Sequence, residues 1–318
     1  PSGSSRSSAP GSPPTSPDPA GPSARLFSFL CSPFFPWLSI VPFGTAWSGA
    51  APVPSLGPST APLPPSMATW TWSPARSPRT PKRLHLAPER VYDTYAQMAA
   101  AEAERPDGID VVSIVTPNHL HYDVACAFID RGIHVICDKP MTTTLDDAEA
   151  LCRRVEAQDV VFCLTHTYAG YPLVKQARAL VQQGRLGELR KVVVAYPQGW
   201  LNRRLEAGDH KQASWRTDPA MAGAGALGDI GTHAEHLARY VTGRALERLC
   251  ADVGTGVKGR AVDDDASILA RYEGGVRGLL HCSQIAAGEE NNLRLRVYGS
   301  EAGLAWNQET PHRLTLLS

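Results

Sequence analysis

Two charged residues follow an apolar run near the middle of the chain. Asp138 and Lys139 come directly after IHVIC (133–137), and Pro140 stiffens the turn behind them. Ligands of parallel α/β sheets bind at the carboxyl ends of strands. An ammonium group there can hold a hydroxyl and stabilise alkoxide character during an oxidation. A surface pairing of Lys139 with Asp138 or another acid is the alternative, and position alone favours it.

A second group of titratable residues lies in GDIGTHAEH (228–236). Asp229 and His233 are four residues apart, so on a helix they share a face and can form a hydrogen bond. The imidazole can take the proton of an alcohol as a general base, with Asp229 orienting the ring. Alternatively, Asp229 caps the helix N-terminus and His233 is a packed or exposed helix residue. A metal site of Asp229, His233 and His236 is disfavoured, because no further ligand motif accompanies it.

The segment GAGALG (223–228) matches the G-x-G-x-x-G spacing of dinucleotide-binding loops. Such a loop follows a strand and opens a helix within a βαβ unit. Here WRTDPAMA (215–222) precedes it without a strand pattern, and no acidic strand end follows about 20 residues later. We therefore interpret the segment as a flexible loop over a substrate cleft.

Alternating strand and helix patterns position the first charged pair. Short runs rich in β-branched residues predict buried parallel strands, and longer runs of helix-forming residues predict helices. The predicted strands are 109–115, 133–137 and 160–165, and the predicted helices are 89–105, 121–132 and 144–158. Thr144 is the expected N-cap of the third helix. This alternation with short connections predicts half of a doubly wound nucleotide-binding fold.

The pattern changes after residue 168. The predicted elements are a helix over 171–183, a strand over 188–196, a glycine-rich loop, a helix over 229–242, and strands within 262–273, 275–285 and 291–300. Successive strands joined by tight turns predict a large, mainly antiparallel sheet with helices on one face. The fold class is therefore α/β plus α+β, a partial Rossmann-like parallel sheet followed by an α+β domain.

The N-terminal part differs in composition from the rest. Of the 27 prolines, 20 fall at or before Pro88, and Asp18 is the only acidic residue before Glu89. Such sequence predicts a low-complexity, disordered N-terminus over residues 1–84. The chain then divides into a remnant of a dinucleotide-binding domain (85–168) and a substrate-binding domain (169–318).

One apolar stretch, residues 26–43, interrupts the N-terminal part. Pro33 and Pro36 argue against a membrane helix, and a signal peptide is a weak alternative. A wrong reading frame of GC-rich DNA would produce the same composition, with authentic sequence resuming near Leu84. We weigh this hypothesis equally with a genuine disordered extension.

Bulk composition excludes several classes of function. The 31 basic and 31 acidic side chains balance without a basic stripe, so nucleic-acid binding is not expected. Seven cysteines lack C-x-x-C or metal-type spacing, which predicts buried, reduced thiols in a cytoplasmic protein. We expect neither a metal nor a membrane partner.

Three motifs in this order resemble the Gfo/Idh/MocA family of oxidoreductases, over residues 89–305. TPNHLH (116–121) is similar to the family's T-P-N-x-x-H element, and CDKP (137–140) to its E-K-P element with aspartate for glutamate. SWRTDPAMAGAGALGDIGTH (214–233) is similar to the loop and helix ending in D-x-x-x-H.

The resemblance implies a dehydrogenase that uses NAD or NADP and acts on a sugar, polyol or similar hydroxylated compound. It implies a catalytic trio of Lys139, Asp229 and His233. The residues implied on the cofactor side are Thr116, Pro117, Asn118, His119, Asp138, Pro140, Trp215 and Arg216. Those implied at the substrate are His166, Tyr168 and His236. The family's broad sheet also makes a homo-oligomer an expectation.

The resemblance has one serious departure. Family members begin with a strand, the glycine fingerprint and a helix, and residues 1–84 contain no such unit. The chain also ends soon after GSEAGLAWNQE (299–309), which we expect to be short of the family's last strand. Poor folding and weak or absent cofactor binding are therefore expected. A non-catalytic sugar- or nucleotide-sensing protein on the same scaffold, or an inactive fragment, is the alternative function.

Overall fold

The computed structural model describes residues 67–70, as backbone, and residues 88–318. The prediction of disorder in the rest of the N-terminal part lies outside these residues. The same is true of the apolar stretch 26–43 and of the reading-frame hypothesis.

Four parallel strands form the first sheet, in the order β1-β2-β3-β4. The strands are β1 (Met67–Trp70), β2 (Val111–Ile114), β3 (His134–Cys137) and β4 (Phe162–Leu164). The helices are α1 (Tyr95–Glu104), α2 (His121–Ile129) and α3 (Leu145–Gln158). The predicted parallel sheet with alternating helices is confirmed.

β1 corrects the prediction for the N-terminal part. Met67–Trp70 was placed in a disordered segment, but it pairs in parallel with β2, with Met67 opposite Val111 and Trp70 opposite Ile114. The prediction is wrong for these four residues. A four-residue run has no readable period, and the unpaired backbone groups along the edge of β2 favour a partner strand.

Local capping sets where the helices of this half begin. Thr144 caps α3 as predicted, because its Oγ1 accepts a hydrogen bond from Asp147 N at 3.2 Å. Thr94 caps α1 in the same way, through Gln97 N at 3.1 Å. α1 therefore starts at Tyr95, later than the predicted start at residue 89, because the cap at Thr94 was not recognised.

Seven strands form the second sheet, in the order β11-β10-β9-β5-β8-β7-β6. They are β5 (Leu189–Pro197), β6 (Leu246–Gly254), β7 (Asp265–Tyr272), β8 (Val276–Ser283), β9 (Arg294–Gly299), β10 (Gly303–Asn307) and β11 (Leu314–Leu317). Among the described strands of this sheet, β5 and β8 pair in parallel and the other neighbours are antiparallel. The predicted large, mainly antiparallel sheet is confirmed.

Two helices, α4 (Pro172–Gln182) and α7 (Thr232–Thr242), cover one face of this sheet. Along β7 the residues alternate between buried and exposed, as expected for a strand covered on one side. Leu237 of α7 packs in the same buried cluster as Val194 and Leu295. The prediction of helices on one face is confirmed.

Several elements lay outside the sequence prediction. Two short helices, α5 (Lys211–Arg216) and α6 (Pro219–Ala222), lie within the predicted glycine-rich loop. A π-helical turn, Leu227–Gly231, then leads directly into α7, where an α-helix from residue 229 was predicted. β6 was not predicted, because this edge strand is exposed along nearly its whole length and shows no alternation.

Six of the cysteines lie in the described residues, and these six are free thiols. Cys137 and Cys282 are buried as predicted, three others are half-buried, and Cys250 is exposed on β6. The prediction of burial is therefore wrong for Cys250. Among the helices of the described residues, none is long and apolar enough to cross a membrane.

Candidate active site

Lys139 lies directly beyond the carboxyl end of β3, as predicted. Its Nζ donates hydrogen bonds to Asp229 Oδ1 at 2.5 Å and to the Asp229 backbone oxygen at 2.6 Å. The two side chains are only 13% and 22% exposed. The lysine therefore pairs with an acid on the π-helical turn, and the alternative of a surface pair with Asp138 is wrong.

Asp138 has a different function in the fold. Its Oδ1 accepts hydrogen bonds from Lys139 N and from Thr165 Oγ1, both at 2.9 Å. This carboxylate therefore ties the end of β3 to the residue that follows β4. The peptide bond between Lys139 and Pro140 is cis. The two hydrogen bonds of Asp138 fix the loop from which the Lys139 side chain extends.

His121 is a residue of this site that the sequence analysis left without a role. It is fully buried, with Nδ1 at 2.7 Å from Pro140 O and Nε2 at 3.0 Å from Thr116 O. Burial lowers the pKa of this imidazole, against the opposing effect of the two carbonyl oxygens. The ring joins the loops that follow β2 and β3. The sequence signal that could have identified His121 is its position as the last residue of TPNHLH (116–121).

Asp229 is held as a carboxylate on the π-helical turn. Its Oδ2 accepts a hydrogen bond from Gln284 Nε2 at 2.8 Å and lies 3.7 Å from Arg216 Nε. Burial acts to raise the pKa of this carboxyl, but the positive charges of Lys139 and Arg216 hold it well below its usual range. Gln284 was not predicted as a site residue, because the predicted strand within 275–285 includes it, whereas β8 ends at Ser283.

His233 is 8% exposed and lies against aromatic rings. Its ring centroid is 4.9 Å from that of Tyr168 and 5.8 Å from that of His166. Burial, reinforced by the charge of Lys139, lowers the pKa of His233 to about 3. The imidazole is therefore neutral near pH 7 and able to accept a proton.

The predicted hydrogen bond between Asp229 and His233 is not formed. The carboxylate oxygens of Asp229 bind Lys139 and Gln284 instead. The physical reason is the π-helical turn, which carries Asp229 and ends before the α7 turn that carries His233. Asp229 also does not cap a helix, because the residues on both sides of it are already helical.

The predicted substrate residues surround His233 unequally. His166 and Tyr168 contact its ring directly, whereas His236 stacks on His166, with ring centroids 3.8 Å apart. Burial lowers the pKa of His166 to about 2 and that of His236 to about 4. His236 is 6% exposed and also faces Tyr240. His236 therefore packs against the ring of His166.

The loop after β2 holds the remaining predicted cofactor residues. Asn118 Nδ2 donates to Ala222 O at 3.0 Å, and His119 Nδ1 lies 3.4 Å from Met221 O. These two side chains therefore fasten the loop to α6. Pro117 precedes them at the start of a short 3-10 turn.

Thr116 has a buried hydroxyl at the carboxyl end of the first sheet. Its Oγ1 has no hydrogen-bond partner within the described part of the chain. On the other side of the site, the Arg216 guanidinium lies 4.3 Å from the centroid of the Trp215 ring. Through Arg216, these two α5 residues stand beside Asp229.

The glycine-rich segment before Asp229 is fixed by Asp263. The Asp263 carboxylate accepts hydrogen bonds from Gly225 N at 2.8 Å and Leu227 N at 2.7 Å, and its carbonyl accepts one from Ala226 N at 2.9 Å. Three successive backbone amides, those of residues 225–227, thus donate their hydrogen bonds to Asp263. This agrees with rejecting the segment as a phosphate loop, but the description of it as flexible is wrong for residues 225–227.

A metal site is not assembled here. Asp229 is bound to Lys139, and His236 is stacked on His166. In residues 88–318, no three His, Cys, Asp or Glu side chains are grouped so as to hold a metal ion.

Two family models match the chain. Residues 63–166 match an oxidoreductase family with an NAD-binding Rossmann fold, and residues 174–305 match the GFO/IDH/MocA C-terminal domain. The chain belongs to the Gfo/Idh/MocA family of oxidoreductases. The first match begins at residue 63, so the family likeness includes β1 and extends beyond the motifs of residues 89–305.

Individual relatives agree with this assignment. The chain is 35% identical over 237 residues to the uncharacterized oxidoreductase YfiI of Bacillus subtilis, covering 73% of this chain and 60% of that protein. It is 32% identical over 226 residues to levoglucosan dehydrogenase of Pseudarthrobacter phenanthrenivorans, covering 64% and 56%. This chain therefore spans less than two thirds of the length of these relatives.

A solved structure gives the same result. An inositol dehydrogenase homolog from Azotobacter vinelandii, complexed with NAD+, matches with a TM-score of 0.73 and 37% identity. The match covers 75% of this chain and 62% of that one.

Proposed function

We propose that this family member oxidises a hydroxyl group of a sugar, polyol or related compound, with NAD or NADP as hydride acceptor. The observation that carries the proposal is the 2.5 Å contact between Lys139 Nζ and Asp229 Oδ1, beside the neutral imidazole of His233. A fixed cation and an unprotonated base in one buried site suit the removal of a hydroxyl proton.

The names of the relatives support this class of substrate. Levoglucosan dehydrogenase is one of them, and D-xylose 1-dehydrogenase of Haloferax volcanii is another, at 32% identity over 177 residues. Both names describe the oxidation of a compound rich in hydroxyl groups. We extend that class to this chain without choosing one compound.

The residues present fit the nicotinamide end of the cofactor. Thr116 offers a buried hydroxyl without a hydrogen-bond partner among the described residues, at the carboxyl end of the parallel sheet, where ligands of this fold bind. Arg216 contacts the Trp215 ring and lies beside Asp229. Residues 71–87, which follow β1, contain no glycine and no acidic residue, so no pyrophosphate loop is assigned to them.

Each member of the trio has a distinct task in the proposed reaction. His233 accepts the hydroxyl proton on its neutral ring. The Lys139 ammonium donates to the same oxygen and stabilises its developing negative charge. Asp229 holds the Lys139 ammonium in place through two hydrogen bonds. A bound nicotinamide supplies the acceptor for the hydride.

The proposal is tested by cofactor binding and turnover with the 318-residue chain. NADH and NADPH are titrated by calorimetry, and NAD(P)H formation is followed with myo-inositol, levoglucosan and D-xylose. We expect saturable binding, and turnover that falls in His233→Asn but not in His312→Asn, a matched change at an exposed histidine. Absence of cofactor binding by the folded chain would overturn the proposal.

Binding of cofactor and sugar without turnover would instead support the sensing function. The glycine-free stretch after β1 is the observation that favours this second candidate. The two functions differ in one readout, the formation of NAD(P)H.

We further propose that the protein is cytoplasmic and forms a homo-oligomer. The six described cysteines are free thiols, as suits a reducing compartment. The uncovered face of the second sheet exposes Leu269 and Leu279, which lie opposite each other on β7 and β8 and which a second copy of the chain would cover.

A further inference from the structure

A series of hydrogen bonds leads from Trp200 to Tyr168 at the side of the candidate active site. Trp200 Nε1 lies 3.1 Å from Gln198 Oε1, and Gln198 Nε2 lies 2.7 Å from Asn291 Oδ1. Asn291 Oδ1 is also 2.7 Å from Tyr196 Oη, which in turn is hydrogen-bonded to Tyr168 Oη. We call these five residues the indole-to-tyrosine network.

The indole fixes the direction of every hydrogen bond in this network. An indole N–H is a donor only, so the atom of Gln198 that faces Trp200 is the carbonyl oxygen. The other end of the same amide, Nε2, must then donate, and the atom of Asn291 that receives it is Oδ1. Both amide orientations therefore follow from one donor whose identity is certain.

The two tyrosines continue in the same direction. Oδ1 of Asn291 carries no proton, so Tyr196 must donate its own across the 2.7 Å contact. Tyr196 then has no proton left for Tyr168, and Tyr168 must donate to Tyr196. Asn291 Nδ2 also points at Tyr168 Oη, at 3.4 Å. The proton of Tyr168 is thus directed inward.

Tyr168 and Tyr196 differ in their access to the cleft. Tyr196 is 2% exposed, whereas Tyr168 is half-buried and its ring contacts His233 at 4.9 Å between centroids. A hydroxyl that has donated its single proton retains acceptor capacity. Asn291 Nδ2 occupies one lone pair of Tyr168 Oη at 3.4 Å, so Tyr168 has its second lone pair, and no proton, to offer a molecule beside His233.

We infer that Tyr168 selects substrates by accepting a hydrogen bond from a second hydroxyl, next to the one that His233 deprotonates. The substrate class is a compound with at least two hydroxyl groups, and a carbonyl or ether oxygen is disfavoured at the second position. This inference rests on the proposed function for the location of the substrate. It also assigns Tyr168 to specificity, since a tyrosine with its proton directed inward does not act as the acid.

The test compares a hydroxyl with fluorine, which accepts weakly and cannot donate. The probes are myo-inositol and its six monodeoxy-monofluoro analogues, with binding measured by saturation-transfer NMR and turnover by NADH formation. At one position we expect fluorine to reduce both affinity and kcat/KM about tenfold, the effect of one lost hydrogen bond with an unsatisfied partner. Tyr168→Phe should abolish that difference, and Tyr171→Phe, a neighbouring tyrosine outside the network, should retain it.

Two variants of equal charge test the direction of the network itself. Gln198→Glu replaces the donor that faces Asn291 with an acceptor, which turns the Asn291 amide, so that Tyr196 donates to Tyr168 and no longer takes the Tyr168 proton. Asn291→Asp adds the same charge but keeps an acceptor facing Tyr196. We expect the preference for hydroxyl over fluorine to fall below about twofold in Gln198→Glu and to persist in Asn291→Asp.

The outcomes separate this inference from the proposed function. Selective binding that depends on Tyr168, without NADH formation, overturns the dehydrogenase and keeps the inference. Turnover with equal affinity for all fluorinated analogues overturns the inference and keeps the dehydrogenase. A chain that turns over levoglucosan or D-xylose but binds neither myo-inositol nor any analogue overturns the inference and keeps the dehydrogenase.

Discussion

The ammonium of Lys139 lies 2.5 Å from the carboxylate of Asp229, and this contact joins the end of β3 to the turn before α7. Each group is mostly buried, so each depends on the other for compensation of its charge. The same two side chains are the proposed alkoxide stabiliser and its support. Stability and activity should therefore both depend on this pair.

Replacing Lys139 with methionine should remove activity and lower the free energy of unfolding by about 2 kcal/mol, since Arg216, 3.7 Å away, then compensates the largely buried carboxylate less well. Urea unfolding provides the measurement. Arg154→Met is the matched control, because the Arg154–Asp130 pair is 38% and 43% exposed and should contribute less than about 1 kcal/mol. Combining Lys139→Met with Asp229→Asn should recover stability without activity. Equal losses in the two methionine variants would contradict this account.

His233→Asn should lower kcat by a factor of about 10² to 10⁴, the usual contribution of a positioned general base. The reason is that the neutral His233 ring is the proposed proton acceptor. KM should change much less, since Tyr168 and Lys139 remain. Steady-state kinetics of the variant, beside His312→Asn, would measure both parameters. A loss confined to KM would assign His233 to binding.

Acid should destabilise the fold through four histidines whose pKa is lowered by burial, His121, His166, His233 and His236. Burial lowers the pKa of His166, His233 and His236 to about 2, 3 and 4, below the value of about 6.5 for an unfolded chain. As pH falls below about 6.5, the unfolded chain binds protons that the folded chain does not, so folding stability decreases. Most of this loss should occur between about pH 6.5 and 4. Asp229, whose pKa is also lowered, adds to it at still lower pH.

The urea midpoint measured from pH 7.5 to pH 4.5 tests this dependence. His236→Gln should lower the number of protons taken up on unfolding by about one. The slope of unfolding free energy against pH should then fall by about 1.4 kcal/mol per pH unit where it is steepest. His312→Gln should leave it unchanged. A midpoint that stays constant over this range would show that the histidines protonate freely in the folded chain.

Gly225→Ala should be strongly destabilising. A Cβ at this position would lie 1.8 Å from the carbonyl oxygen of Asp263, which is backbone and cannot rotate away. Overpacking of this kind costs about 1–3 kcal/mol or more, and here it would also displace the turn that carries Asp229. Gly254→Ala is the control, since a Cβ there meets nothing within 4 Å. Calorimetric unfolding should rank the two variants, and equal melting temperatures would contradict the expectation.

The sequence was most informative about features that neighbouring residues determine. Lys139 was placed at a strand end because a short apolar run precedes it, and strand ends of a parallel sheet are where ligands bind. The cap at Thr144 followed in the same way from residues next to it. These predictions needed only neighbouring residues and a period.

The partners of these residues were less accessible to sequence reasoning. Lys139 binds Asp229, 90 residues away, and Gln284, the residue after β8, binds the same carboxylate. The missing bond between Asp229 and His233 has a local cause, a π-helical turn that breaks the i, i+4 register. Spacing alone assumes a regular helix, so it could not find this turn.

Asp263 has a consequence for how the site meets its ligands. Its carboxylate accepts hydrogen bonds from the amides of Gly225 and Leu227, as a phosphate accepts them from the amides of a nucleotide-binding loop. The chain thus supplies its own hydrogen-bond acceptor at this turn. The segment before Asp229 is accordingly assembled without any ligand, and substrate binding need not spend free energy on ordering it.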